Sequence, residues 1–196
     1  AAAEALVRDG VSAIVLDLPL GDVHLVARQQ AGSQVALMNT RHRDDDLRLS
    51  TCHAPVLHAI PSWSMLTDAL AQGLMALDWR RVLVLKGPAE GDANFANRFL
   101  ASARKFGLKV ADVRAFVLGN DPRKRDQINL RLLTGGADYD VIVVADLSGD
   151  FGRFVPYATT RARPVVGTTG LQPVAWHPYW ERHGAPQLNR RFHRAT

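Results

Sequence analysis

The chain has 196 residues, 47% of them hydrophobic and 22% charged, with 24 lysines and arginines against 19 acids for a formal net charge of +5. This balance belongs to one large or two small globular domains and excludes a disordered, collagen-like or coiled-coil chain. No apolar run approaches the roughly 18 to 20 residues of a membrane span, so direct membrane insertion is not expected. The basic residues are scattered, Arg123, Lys124 and Arg125 lie between Asp121 and Asp126, and no aromatics interleave with them, so no nucleic-acid partner is expected.

Short β-branched runs alternate with helical stretches along the chain, the pattern of an α/β protein with parallel sheets. A helix through residues 4–8 stops at Asp9-Gly10, and 13–16 reads as a buried strand. A helix over 22–31 and a strand over 35–38 follow. Residues 39–54 are polar and without period, a long loop of the kind that carries function. After a strand at 56–60, Pro61-Ser62 opens a helix with apolar positions Leu66, Leu70, Leu74 and Leu77. A strand at 81–86 leads through the loop 87–91 into a helix whose buried face is Phe95, Phe99, Ala103 and Phe106. A strand at 110–118, a helix from Asp121-Pro122 to Gly135-Gly136, a strand at 141–145, a helix near 150–158 and a strand at 164–167 complete the series. Cys52 is the single cysteine and cannot close an intramolecular disulfide.

In open α/β sheets ligands bind beyond the carboxyl ends of strands, which directs attention to the loops after Asp17, Met38, Lys86, Ala145 and Gly167. Asp22 presents a helix N-terminus to an anion or serves only as an N-cap. Arg41 and Arg43 suit a carboxylate, or else neutralise Asp44, Asp45 and Asp46. His42 with those three aspartates misses the alternate spacing of a calcium loop, and Cys52, His53 and His58 are too poorly spaced for zinc. No nucleophile elbow, phosphate loop or dinucleotide fingerprint is present, so neither an enzyme nor a cofactor is expected. Glu90 and Asp92 are expected to face a cleft. Trp63 and Phe151 offer flat apolar surface to a ligand or serve in packing.

Four stretches in order, Asp9-Gly10-Val11-Ser12-Ala13-Ile14-Val15, Ile60-Pro61-Ser62, Leu77-Asp78-Trp79-Arg80-Arg81-Val82-Leu83-Val84-Leu85 and Pro164-Val165-Val166-Gly167, resemble the type I periplasmic binding proteins, the branched-chain amino acid binding family of ABC transporters. The stretch from Trp176 to Phe192 resembles a subgroup encoded beside quinone-dependent alcohol dehydrogenases. The resemblance implies two doubly wound parallel-sheet lobes that close by a hinge on a small molecule. It assigns residues 1–60 to a first lobe without its N-terminal strands, 61–175 to a second lobe and 176–196 to a return segment, the chain being the middle of a longer protein. It also implies a periplasmic location and a membrane permease as partner.

In the amino acid binders, hydroxyl residues of the first lobe hold the carboxylate, and an acid and a tyrosine of the second hold the ammonium. The corresponding loops here read Leu20-Gly21-Asp22 and Asn39-Thr40-Arg41-His42-Arg43 on the first lobe. On the second they read Asp146-Leu147 at the tyrosine position and Gly167-Thr168-Thr169-Gly170 at the acid. The expected ligand is therefore a small polar or acidic molecule rather than an α-amino acid. The alternative is a ligand-sensing domain of a transcriptional or amide-type regulator with the same fold.

Overall fold

The computed structural model describes residues 2–53, 55–119, 121–174 and 185–195. Their strands form two parallel sheets with no strand in common. The first has β1 (Ala13–Leu16), β2 (Ala36–Asn39) and β3 (Val56–His58) in that spatial order. The helices α1 (Ala2–Arg8) and α2 (Leu20–Gln29) belong to this unit, with Val7, Val23 and Ala27 packed on Ile14, Leu16 and Leu37. The second sheet contains β4 (Arg81–Lys86), β5 (Lys109–Ala115), β6 (Val141–Ala145) and β7 (Val165–Gly167), ordered β5-β4-β6-β7.

The central strands of the second sheet are apolar on both faces because both faces are covered. Val82, Val84, Val141, Val143 and Ala145 meet one layer made by α3 (Trp63–Ala76) and α4 (Glu90–Phe106). Leu83, Leu85, Ile142 and Val144 meet Phe116, Leu133, Tyr139 and Phe151 on the other. Each large side chain removed from water contributes about 1.5 to 3 kcal/mol, so this sandwich is the main stabilising body. The edge strand β5 carries exposed Lys109 and Asp112, charges that discourage pairing with another sheet. Between α3 and α4, Asp68 accepts from Ser102 Oγ at 2.7 Å and Lys105 Nζ at 2.6 Å.

Two helices differ from their sequence expectation. The single helix expected from Asp121 to Gly135 is a 3-10 turn, then α5 (Arg125–Ile128) and α6 (Leu130–Thr134). Asn129 divides them: its backbone is extended, and its Oδ1 accepts from Arg131 and Leu132 N–H, which caps a new helix. The helix expected near 150–158 shortens to a 3-10 turn followed by α7 (Val155–Ala158). A last helix, α8 (Ala185–Ala195), ends the described residues, and the stretch 176–184 lies outside them.

The two units meet at the first turn of α3. A helix start leaves its first backbone N–H groups without intrahelical partners. Here Trp63 N–H donates to the Arg43 carbonyl at 3.0 Å, Ser64 N–H to Asp45 Oδ1 at 3.2 Å, and Met65 N–H to Ser62 Oγ at 3.3 Å. Two of these acceptors come from the 39–48 loop of the first unit. Arg98 of α4 adds an ion pair, its Nε 3.2 Å from Asp45 Oδ2, at ion-pair distance but without hydrogen-bond alignment.

Asp45→Ala removes the acceptor of Ser64 N–H and the partner of Arg98, and is expected to lower the unfolding free energy by about 1 to 3 kcal/mol in urea titration. Asp45→Asn keeps an acceptor and is expected to lose less. Wild-type stability in the alanine variant would rule out this role for the junction.

Candidate ligand-binding site

The loop after β2, the helices α3 and α4, and the loops after β6 and β7 converge on a cavity of about 310 Å³. Its polar wall is Arg43, Thr168 and Gln172, and its apolar wall includes Trp63, Leu66, Phe95 and Leu147. Arg43 comes from the first unit and the other six from the second. The Trp63 ring is fixed edge-on to Phe95, centroids 6.0 Å apart at 87°, and the Arg43 guanidinium lies 5.7 Å from the Trp63 centroid. Arg43 Nη1 donates to the Pro61 carbonyl at 3.0 Å, one of five N–H donors on that group. The remaining donors make Arg43 the cationic side chain of this wall, suited to an acidic group.

The two buried aspartates beside the cavity organise its loops. Asp92 is 2% exposed; its Oδ2 accepts from Ala89 N–H at 3.1 Å, and its Oδ1 reaches across the sheet to Leu147 N–H at 2.8 Å. Gly87 is required beside it, because a Cβ there would collide with the Asp92 carboxylate and stand 2.9 Å from the Phe116 ring. Asp146, also 2% exposed, accepts from Ser148 Oγ and from the N–H groups of Gly149, Phe151 and Gly152. Burial alone pushes its carboxyl pKa up, but the hydrogen bonds from Gly152, Ser148, Phe151 and Gly149 together outweigh burial and hold it below the ordinary carboxylate value. Its own N–H donates to Thr168 Oγ1, which in turn donates to the Val144 carbonyl. Gly167 brings that threonine in; its φ of +112° and the Val144 backbone against its α-carbon leave no space for a side chain.

Of the residues singled out in the sequence, Arg43, Trp63 and Thr168 thus line one cavity, with Asp92 and Asp146 immediately behind its loops. The others lie elsewhere. Leu20, Gly21 and Asp22 form the first turn of α2; Asp22 is its third residue rather than its N-cap, since the helix starts earlier, after an extended Pro19. Asn39 is fully buried and folds its own loop: Oδ1 accepts from Arg41 and His42 N–H, and Nδ2 donates to the His42 carbonyl and to His58 Nδ1. Thr40 Oγ1 donates to the Leu16 carbonyl. Arg41 is exposed and pairs with Asp17 at 3.3 Å rather than with Asp44 to Asp46. Glu90 is exposed at the start of α4, and Thr169 lies beside Gly152. Phe151 is buried, stacked on Phe116 with centroids 4.1 Å apart, so its use is packing.

Phe95, Leu66 and Gln172 were not singled out as site residues. The first two carry the apolar period of core helices, and Gln172 belongs to no motif; only its place after the β7 strand end could have marked it. Among the described residues no group of three or more His, Cys, Asp or Glu is placed to hold a metal ion.

No protein-family model matches the sequence, and no curated protein sequence does. Solved structures match in fold. An ABC transporter substrate-binding protein from Desulfitobacterium hafniense superposes with a TM-score of 0.68 at 16% identity, over 98% of this chain and 60% of that one. A leucine-, isoleucine-, valine-, threonine- and alanine-binding protein from Brucella ovis gives 0.69 at 15% identity, over 100% and 56%. A branched chain amino acid ABC transporter periplasmic ligand-binding protein from Burkholderia xenovorans gives 0.69 at 13%, over 100% and 56%. The fold is therefore the α/β fold of type I periplasmic binding proteins, with parallel sheets. The chain spans 56% to 60% of the length of these three structures.

Asp146→Asn places an amide N–H₂ among backbone donors and is expected to cost about 1 to 3 kcal/mol at neutral pH. Because the folded-state pKa is depressed, the carboxylate's contribution is present above the unfolded value and lost as pH falls through the folded one. Unfolding midpoints of variant and wild type are therefore expected to differ at pH 7 and to approach each other only as pH falls from about 4 through the depressed folded-state value. Equal midpoints at pH 7 would show that the carboxylate does not hold the loop.

Proposed function

We propose that the chain forms the ligand-holding part of an ABC transporter solute-binding protein, taking a small carboxylate or similarly acidic molecule between two lobes. The observation that carries this reading is the cavity of about 310 Å³ in which the Arg43 guanidinium lies beside the Trp63 ring, between loops of both sheets. Its volume is at the lower end of small-molecule sites, about 300 to 1,000 Å³, and its wall is mixed, with the polar groups of Arg43, Thr168 and Gln172 beside the apolar Trp63, Leu66, Phe95 and Leu147. The occupant best matched to such a wall has one anionic group for Arg43 and a flat apolar body for Trp63, Leu66, Phe95 and Leu147.

The solved structures support the transport role through their names, and the Brucella ovis protein is named for ligands that share a carboxylate. The positions that hold the ammonium in the amino acid binders carry Thr168, Thr169 and Asp146 here. The Asp146 carboxylate is committed to its own loop, which favours a ligand without an ammonium. On closure, the half-buried Leu20 and the exposed Gly21 and Asp22 of the first turn of α2, with the exposed Thr40 and Arg41 after β2, would supply the facing wall, with Glu90 at its rim. The whole protein would work in the periplasm and deliver its ligand to a membrane permease. Among the described residues no helix is long and apolar enough to cross a membrane.

A thermal-shift screen of aliphatic and aromatic carboxylates against the full chain is expected to find a stabilising ligand. Arg43→Ala should weaken it by about 1.5 to 3 kcal/mol, roughly 10- to 150-fold, as for a lost charge-assisted hydrogen bond. Ligand should also contract the particle in small-angle scattering. Binding that is indifferent to Arg43→Ala, or a screen in which only amino acids with a free ammonium bind, would overturn the assignment.

A further inference from the structure

Away from that cavity, two histidines from distant parts of the sequence meet at partial burial. His24 lies on α2, and His53 lies in the segment that enters β3. His24 Nδ1 and His53 Nε2 are 3.4 Å apart, with ring centroids 5.6 Å apart and ring planes at 68°. At 3.4 Å the two rings make a long hydrogen bond when one of the facing nitrogens carries the proton. The separation also matches another arrangement. Two Zn–N bonds of about 2.0 to 2.1 Å at the tetrahedral angle hold their nitrogens about 3.3 to 3.4 Å apart, whereas a cis pair in a square plane would bring them to about 2.9 Å. Because each nitrogen lone pair lies in its own ring plane, edge-on rings can aim both at one point.

The backbone that carries the pair is set by the fold around it. His24 is flanked on α2 by Val23, fully buried in the core of the first unit, and the His53 carbonyl accepts from Val56 N–H at 3.0 Å at the start of β3. Little rearrangement is then needed to present both imidazoles, which favours binding by avoiding its ordering cost. We propose that His24 and His53 form a two-imidazole site for Zn²⁺, with solvent completing a tetrahedral sphere. Bound there, the ion would clamp α2 to the loop that feeds β3.

The test is calorimetric titration of zinc chloride into the full chain, free of any histidine tag, with unfolding midpoints measured alongside. One site per chain and a raised midpoint are expected. His24→Gln and His53→Gln, checked for retained circular dichroism, should each weaken zinc binding by at least about tenfold, while Cys52→Ser leaves it unchanged. X-ray absorption of the zinc-loaded wild type needs no variant: it should show imidazole scattering at about 2.0 to 2.1 Å and no sulfur shell near 2.3 Å. Absence of binding, affinity unaltered in either histidine variant, or a sulfur shell would each overturn the proposal.

Discussion

The geometry of the candidate site depends on how the first turn of α3 is satisfied. Its leading N–H groups face the 39–48 loop, which returns the Arg43 carbonyl and the Asp45 carboxylate to them. These bonds are short-range and directional, so they fix where the second unit starts relative to the first. Asp45 carries most of this constraint, since one oxygen takes a backbone donor while the other faces Arg98 on α4. The same loop is held from below by Asn39, whose amide is used in both directions inside the first unit. Burial and nearby Arg48 push the pKa of His58, an acceptor for Asn39, below its ordinary value, which keeps the imidazole neutral and able to accept.

The positions of the strands and of the two long helices were legible in the sequence because each is governed by a local pattern, although β1, expected to be a buried strand, buries only Ile14 and Leu16 and leaves Val15 exposed. Val82 to Leu85 and Val141 to Ala145 are unbroken apolar runs, and their burial on both faces follows from helices on both sides. Phe95, Phe99 and Ala103 repeat at helical spacing and are buried as that spacing requires. The region 121–136 was less legible, since Asn129 offers its side chain to the backbone and so competes with helix continuation. The role of a carboxylate was least legible. Asp92 in the first turn of α4 and Asp146 just after β6 lie where a ligand would be sought, yet Asp92 accepts from Leu147 N–H 55 residues away and Asp146 from Ser148 Oγ and backbone N–H groups within six residues. Nothing in residue type separates a carboxylate that meets a ligand from one that meets a loop.

The basic residues are dispersed in the structure as they are in the sequence, and several arginines each meet a local acceptor. Arg41 meets Asp17, Arg48 donates to the Ile60 carbonyl, Arg81 pairs with Asp140, and Arg114 donates to the carbonyls of Leu133 and Gly135 at the end of α6. A planar guanidinium with several donors serves such sites well, because it can hold a backbone carbonyl and still carry charge toward another partner.

Arg43 combines these two uses at the join between the units. Its carbonyl accepts from Trp63 N–H, its side chain donates to Pro61, and its charge lies beside the Trp63 ring at the cavity wall. One residue therefore takes part in the join and in the wall of the cavity between the units. Any change in the angle between the sheets must move the Arg43 carbonyl relative to α3, and with it the cation that an acidic ligand would meet. Conversely, a ligand that holds the guanidinium in place stabilises one setting of the join, since it can favour only the arrangement it binds better. In the proposed closure on an acidic ligand, coupling between occupancy and the setting of the join would need no separate relay, because Arg43 would meet the anion and already takes part in the join.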